Sequence, residues 1–147
     1  MLYIAYGSNM NRRQMAYRCP RAEPIGPVWL KGWRLVMKRV ADVEPDPEAI
    51  IPAALWRITA ACEAALDLYE GFPTFYTKHR LRIVLADGKH ARPMFYCMNN
   101  PEARTIAPSS ETYLWAIAEG YHDFGFDDLT PLLKAQHEAK KGLRDDR

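Results

Sequence analysis

The sequence predicts an α+β domain of about six strands with three or four flanking helices, and three observations carry that reading. Several short runs alternate apolar and polar residues with a two-residue period, as strands do. Two later segments repeat apolar residues at helical spacing. Glycine and proline steps separate these runs at short intervals, as the connections of an α+β chain require. With 147 residues, 48% of them hydrophobic, the chain can bury a core without disulfides or metal, and a single domain over residues 1–147 is expected.

The first run, residues 2–6, sets Leu2, Ile4 and Tyr6 against Tyr3 and Ala5, a strand apolar on both faces. Gly7 ends it, and Ser8 and Asn9 can accept hydrogen bonds from a helix beginning at Met10. A strand passing through a glycine turn into a helix presents unpaired N–H groups and the positive end of a dipole. Tyr6-Gly7-Ser8-Asn9-Met10 therefore reads as an anion pocket suited to a carboxylate, although an ordinary capped turn would carry the same residues. Residues 10–17 suit a short helix ended by Cys19-Pro20. Val28-Trp29-Leu30 and residues 33–39 read as two strands. Residues 43–48, V-E-P-D-P-E, are acidic, lack periodicity and hold two prolines, so a surface loop able to move over a cleft is expected. Residues 50–58 resume β-type sequence, with Pro52 at a strand end or sheet edge.

Thr59 can cap a helix in which Cys62, Ala65, Leu66 and Tyr69 form one apolar stripe. Gly71 stands where a left-handed cap belongs, and Phe72-Pro73 prevents continuation. Glu70 thus falls in the last turn, at the negative end of the dipole and the border of the buried stripe. Both effects raise a carboxyl pKa and would make it a proton acceptor near neutral pH; a solvated terminal glutamate is the other reading. Residues 77–85 and 89–98 should pair as a hairpin about a type I′ turn at Asp87-Gly88, with Pro93 marking an edge or a bulge. Ser109 or Ser110 can cap a helix carrying Leu114, Ile117, Ala118 and Tyr121, with Tyr113 in its first turn able to point its hydroxyl into a cleft. Thr130-Pro131 opens a last helix, and the charged sequence from about residue 137 is expected to fray.

Composition excludes several function classes. A net charge of +2, from 20 basic and 18 acidic residues, leaves no excess for a phosphate backbone, so no nucleic-acid partner is expected. Cys19, Cys62 and Cys97 are odd in number and widely spaced, without the partners of a disulfide framework or a zinc site, and no metal is expected. No stretch approaches a membrane span or a leader peptide, and a cytoplasmic setting is expected. Ser8 lacks the second glycine of a nucleophile elbow, and the loop lacks the lysine or the glycines of a nucleotide-binding turn.

Three stretches taken together carry a resemblance. Tyr6-Gly7-Ser8-Asn9-Met10 after an N-terminal strand, Leu66-Asp67-Leu68-Tyr69-Glu70-Gly71 with Tyr76 beyond, and Pro108-Ser109-Ser110-Glu111-Thr112-Tyr113 before Gly120 resemble the gamma-glutamylcyclotransferase-like family in order and spacing. The resemblance spans residues 2–133 and implies a mixed β-barrel with flanking helices. It also implies a cofactor-independent reaction on a small-molecule γ-glutamyl substrate: the α-amine attacks the side-chain amide carbonyl, giving 5-oxoproline and a free amine. By the family pattern Glu70 would be the general acid/base. The loop formed by Tyr3, Ile4, Ala5, Tyr6, Gly7 and Ser8 would grip the α-carboxylate and amine, with Asn9 at its edge. Tyr113 matches the pocket tyrosine, and Tyr76 and Tyr96 fall at family-like positions. One departure is that Pro52-Ala53-Ala54-Leu55-Trp56 stands where the family carries a glycine, which bears on pocket shape.

Two other functional classes share the fold. A non-catalytic module binding a small carboxylate would gain nothing from Glu70 in its pocket, whereas a proton-transfer enzyme requires such a group. An interaction protein would have no cavity joining Gly7 to Glu70.

Overall fold

The computed structural model of the chain describes residues 1–145. Its centre is β1 (Leu2–Ala5), whose Tyr3, Ile4 and Ala5 are all buried. β1 is flanked on one side by β3 (Val40–Arg57), antiparallel from Leu2↔Arg57 to Ala5↔Ala54, and on the other by β7 (Met94–Met98), parallel through Tyr3↔Met94. With β2 (Glu23–Lys38) and β4 (Tyr76–Arg80) at the edges, the mixed sheet runs β2-β3-β1-β7-β4. Both faces of β1 are covered, since the consecutive residues Tyr3, Ile4, Ala5 and Tyr6 are all buried, which is why residues 2–6 lack a polar side.

The two strands expected before residue 40 are one. β2 is continuous, with register shifts between Pro24 and Gly26 and between Lys31 and Trp33, the second at Gly32, whose φ of +85° suits a bulge. Residues 43–48, expected as a surface loop, fall within the span of β3, where Val43 pairs with Leu35, Glu44 with Arg34 and Pro45 with Trp33; residues 46–49 have no ladder partner and form the irregular stretch before Ile50 pairs with Lys31. Pairing overrides composition because Glu44 is neutralised by Arg34 and Lys38, both at 2.7 Å, while the bulge absorbs the aperiodic stretch.

The second hairpin forms in one register but is interrupted. β4 pairs with β7, and β5 (Ile83–Val84) with β6 (His90–Ala91). Between them Pro93 accepts from the Leu81 N–H at 3.2 Å and has no N–H to return. The turn has three residues rather than the expected two: Leu85 donates to the Lys89 carbonyl at 2.8 Å, and Gly88 takes φ +84° in the bulge.

The sheet does not close into the expected barrel. Its edge strands share no ladder, and the gap is spanned by side chains, the Trp33 ring lying 5.2 Å from Phe95 and 6.2 Å from His79.

Helix α1 (Arg12–Arg18) starts later than expected, after a 3-10 turn at Ser8–Met10. Its cap is Asn11, which accepts the Gln14 N–H at 3.0 Å, so Ser8 and Asn9 are freed from capping. α2 (Ala60–Glu70) has the expected caps, Thr59 accepting from Cys62 at 3.1 Å and Gly71 at φ +68°. Its buried stripe is narrower than expected, Cys62 and Leu66 only, with Ala65 and Tyr69 exposed.

α3 (Glu111–Asp123) is capped by Ser110 and buries Leu114, Ile117, Ala118 and Tyr121. Gly120 lets it press on the 3-10 turn, where an added Cβ would lie 2.6 Å from Met10 Cβ. α4 (Thr130–Asp145) does not fray at residue 137. Ala139 is fully buried, and Gln136 is clasped to Ser109 by a donated and an accepted hydrogen bond, so His137, Glu138, Lys140 and Lys141 lie on the outer face of a docked helix; the end of the expected tail, residues 146–147, lies outside the described residues. Among the described residues no helix is long and apolar enough to cross a membrane.

Candidate active site

The loop after β1, the C-terminal turn of α2, the tip of the β2–β3 hairpin and the first turn of α3 converge on a cavity of about 140 Å³. Tyr3, Tyr6, Gly7, Ser8 and Asn9 line one side and Glu70 another, with Tyr76, Tyr96 and Tyr113 completing the wall. Gly7 and Glu70 therefore face one space, as the anion-pocket reading requires. Of the sequence-predicted residues, Ile4 and Ala5 stand apart: both are buried in the core, and neither side chain lines the cavity. Strand alternation explains Ile4, which points to the face opposite the cavity-lining Tyr3; Ala5 shares the face of Tyr3, but its single methyl group does not line the cavity.

The loop is held from several directions. Trp56 Nε1 donates to the Asn9 carbonyl at 3.1 Å, so the stretch that departs from the family pattern supports the loop from behind. Asn9 Nδ2 donates to Tyr3 Oη at 3.0 Å and to Glu70 Oε1 at 3.4 Å. Gly7 leaves room where a side chain would crowd Ala41 Cβ at 3.2 Å and Tyr113 Oη at 3.4 Å.

Ala41 is fixed through its main chain. Its N–H donates to Tyr113 Oη at 2.9 Å, and its carbonyl accepts from Tyr76 Oη at 2.6 Å. The adjacent Asp42 is fully buried, bound to Lys38 Nζ at 2.8 Å and to the Met98 N–H at 2.9 Å, which pins the hairpin tip to β7. Tyr6 donates to the Tyr96 carbonyl at 2.6 Å, and Tyr96 Oη donates to Asp67 at 2.6 Å.

Burial pushes the Glu70 carboxyl up to about 7, an effect opposed by the Arg18 guanidinium. Burial also raises the hydroxyls of Tyr3, Tyr6, Tyr76, Tyr96 and Tyr113, so all five are neutral where Glu70 titrates. The site thus holds one carboxyl able to exchange a proton near neutral pH, set among neutral hydrogen-bonding groups. Among the described residues no cluster of three or more His, Cys, Asp or Glu is placed to hold a metal.

The sequence of residues 3–116 matches the family described as Gamma-glutamyl cyclotransferase, AIG2-like. The chain belongs to this family. Its fold is similar to that of a solved structure named Gamma-glutamyl cyclotransferase, with a TM-score of 0.76 and 22% identity over 95% of this chain and 86% of that one. It is also similar to the uncharacterized protein loc79017 from Homo sapiens (TM-score 0.74, 23% identity, 95% and 85% covered). YkqA from Bacillus subtilis is similar too (TM-score 0.72, 23% identity), the match covering 95% of this chain and 54% of that one. No curated protein matches the sequence. At these identities the structural likeness speaks for the fold, while membership in the cyclotransferase family suggests cyclotransferase-type chemistry.

Several wall residues of this family member escape sequence reading. Val40 and Ala41 reach the cavity because residues 40–45 pair with β2 and the hairpin turns at Arg39, whose φ is +67°. Phe75 follows the end of α2 by a turn that composition does not aim. Tyr69, expected on the core stripe, is 46% exposed at the cavity edge, with Arg18 stacked 3.8 Å from its ring centre. The Arg beside an otherwise apolar helix end was the available signal.

Proposed function

We propose that the protein is a γ-glutamyl cyclotransferase that converts a γ-glutamyl amine, amino acid or peptide to 5-oxoproline and a free amine, with Glu70 as general acid/base. The observation that carries this reading is the half-buried Glu70 carboxyl, raised to about 7, facing the Tyr6–Asn9 loop across one cavity. Glu70 accepts a proton from the α-ammonium group. The freed amine nitrogen attacks the γ-carbonyl carbon and the new C–N bond closes the five-membered ring; Glu70 passes its proton to the leaving nitrogen, the original amide C–N bond breaks, and the second proton of the ring nitrogen passes through the Glu70 carboxylate to the departing amine, leaving the lactam N–H and a free ammonium group.

No outside nucleophile takes part, so the main task is to hold the γ-glutamyl chain folded with amine against carbonyl. The loop main chain, with Tyr3, Ser8 and Asn9, binds the α-carboxylate and amine, and Tyr76 and Tyr113 confine the chain. Glu70 argues against a non-catalytic carboxylate binder, in which a second carboxylate would only repel the ligand. The three cysteines are unpaired, in keeping with a cytoplasmic setting.

The test is a screen of γ-glutamyl amines, amino acids and peptides for 5-oxoproline release by the parent protein. Release from at least one compound, with an acid limb near pH 7, is expected. A folded protein that binds such compounds and releases none would overturn the reading in favour of the binding module.

A further inference from the structure

Arg18 closes α1, and none of the roles derived above uses it. Its Nη1 donates to the Asn9 side-chain oxygen and, at 3.5 Å, to Ser8 Oγ, while its Nη2 donates to Tyr69 Oη at 2.7 Å. Ser8 and Asn9 belong to the loop, and Tyr69 precedes Glu70 on α2. One guanidinium therefore ties together the two segments on either side of the cavity.

The orientation of Asn9 depends on this contact. An amide has one accepting and one donating end, and a guanidinium can only donate. With its oxygen held by Arg18, Asn9 turns its Nδ2 toward Tyr3 Oη and Glu70 Oε1. A flipped amide would present an oxygen to the carboxylate instead.

We infer that Arg18 is a positioning residue of the site: it fixes the Asn9 amide toward Glu70, clamps the loop to the end of α2, and holds its positive charge against Tyr69, the residue before Glu70. The inference rests on the acid/base reading of Glu70. The other groups facing Glu70 are Tyr3, Tyr6 and Asn9 from β1 and its loop, Tyr76 from β4, Tyr96 from β7, Tyr113 from α3, and Tyr69 beside it. The five deeper tyrosines stay neutral because burial raises them. Asp67, one turn back on α2, is engaged by Lys78 at 2.9 Å and by Tyr96 at 2.6 Å. Arg18 is thus the group that opposes the effect of burial on Glu70. Lysine would keep the charge but not the planar fork that reaches Asn9 and Tyr69 together.

The experiment titrates the Glu70 side-chain carboxyl by ¹³C NMR in the full chain, assigned by its loss in E70Q, for the parent, R18M and R18K. 5-Oxoproline release is followed across pH on a compound the parent cyclises. R18M should move the Glu70 midpoint upward and carry the acid limb of kcat/KM with it, whereas R18K should return both toward the parent. KM should rise in R18K, which lacks the fork. A folded R18M with an unchanged or lowered midpoint would overturn the inference; if R18M fails to fold, R18Q is read by the same criterion. Should the parent cyclise nothing, the functional reading fails, and the NMR midpoints still decide the place of Arg18.

Discussion

Asn9 Nδ2 stands 3.4 Å from Glu70 Oε1, although 61 residues separate them in the chain. This contact joins the loop after the first strand to the last turn of α2 and brings an anion-binding turn and a proton acceptor into one cavity. It depends on Asn9 not capping α1, a task taken by Asn11, and on the 3-10 turn being wedged beneath α3.

That wedge predicts the effect of a single methyl group. In Gly120→Ala the new Cβ would meet Met10 Cβ at 2.6 Å and the main chain of Met10 and Asn11 at 2.7 and 2.8 Å. Two of those neighbours are backbone, so α3 or the loop must shift. Overpacking of this kind costs about 1–3 kcal/mol, and more when backbone must move. Urea denaturation should show the loss, and a variant as stable as the parent would contradict the close approach.

Tyr113→Phe removes the acceptor of the Ala41 N–H, a bond of 2.9 Å in a buried wall. Leaving that donor unpaired should cost about 1–3 kcal/mol of stability. Because Ala41 forms part of the cavity, KM for a γ-glutamyl compound should rise more than kcat falls. Unchanged stability and KM would show that Ala41 does not need this partner.

Glu70 also makes stability depend on pH. Its carboxyl stands at about 7 in the folded chain against an ordinary 4.5, so the folded state holds the proton more tightly than the unfolded state. The stabilising contribution is full below the unfolded pKa and is lost as pH rises through the folded one. Stability should therefore fall between about pH 4.5 and 7 on account of this residue, and Glu70→Gln should abolish that part of the slope. The stability difference between parent and variant should change by about 1–3 kcal/mol across the window, the lower end applying if solvent screens the half-buried group. Unfolding curves at several pH values check it, and a pH-independent difference would contradict the raised pKa.

Where the local signal and the tertiary environment agree, the sequence was legible. Thr59, Gly71 and Ser110 act as the caps their chemistry suggests, and Glu70 sits where the Gly71 cap places it. Residues 43–48 misled because proline and acid content describe local preference, whereas Arg34, Lys38 and the Gly32 bulge decide the pairing. The charged stretch around residues 137–141 misled in the same way, since Gln136 and Ala139 dock a helix on which His137, Glu138, Lys140 and Lys141 are exposed. The barrel stays open: edge strands β2 and β4 share no ladder, and Trp33 of β2 instead packs against His79 of β4 and Phe95 of β7, contacts no pattern in these strands announces. Ala41 and Arg18 were missed since each acts through long-range hydrogen bonds rather than through a motif.

The most direct test of the account is 5-oxoproline formation by Glu70→Gln beside the parent, on a compound the parent cyclises, with substrate affinity and circular dichroism measured on the same samples. Glutamine keeps the shape and hydrogen-bonding reach of Glu70 but cannot accept a proton, and positioned acid–base catalysis is worth roughly a hundred- to ten-thousand-fold. The account predicts a loss of turnover in that range with the fold intact and affinity equal to or tighter than that of the parent, because a negative group facing the substrate carboxylate is removed. A well-folded Glu70→Gln protein that cyclises the same compound at nearly the parent rate would contradict it and pass the proton transfer to another group of the cavity, Tyr76 or Tyr113.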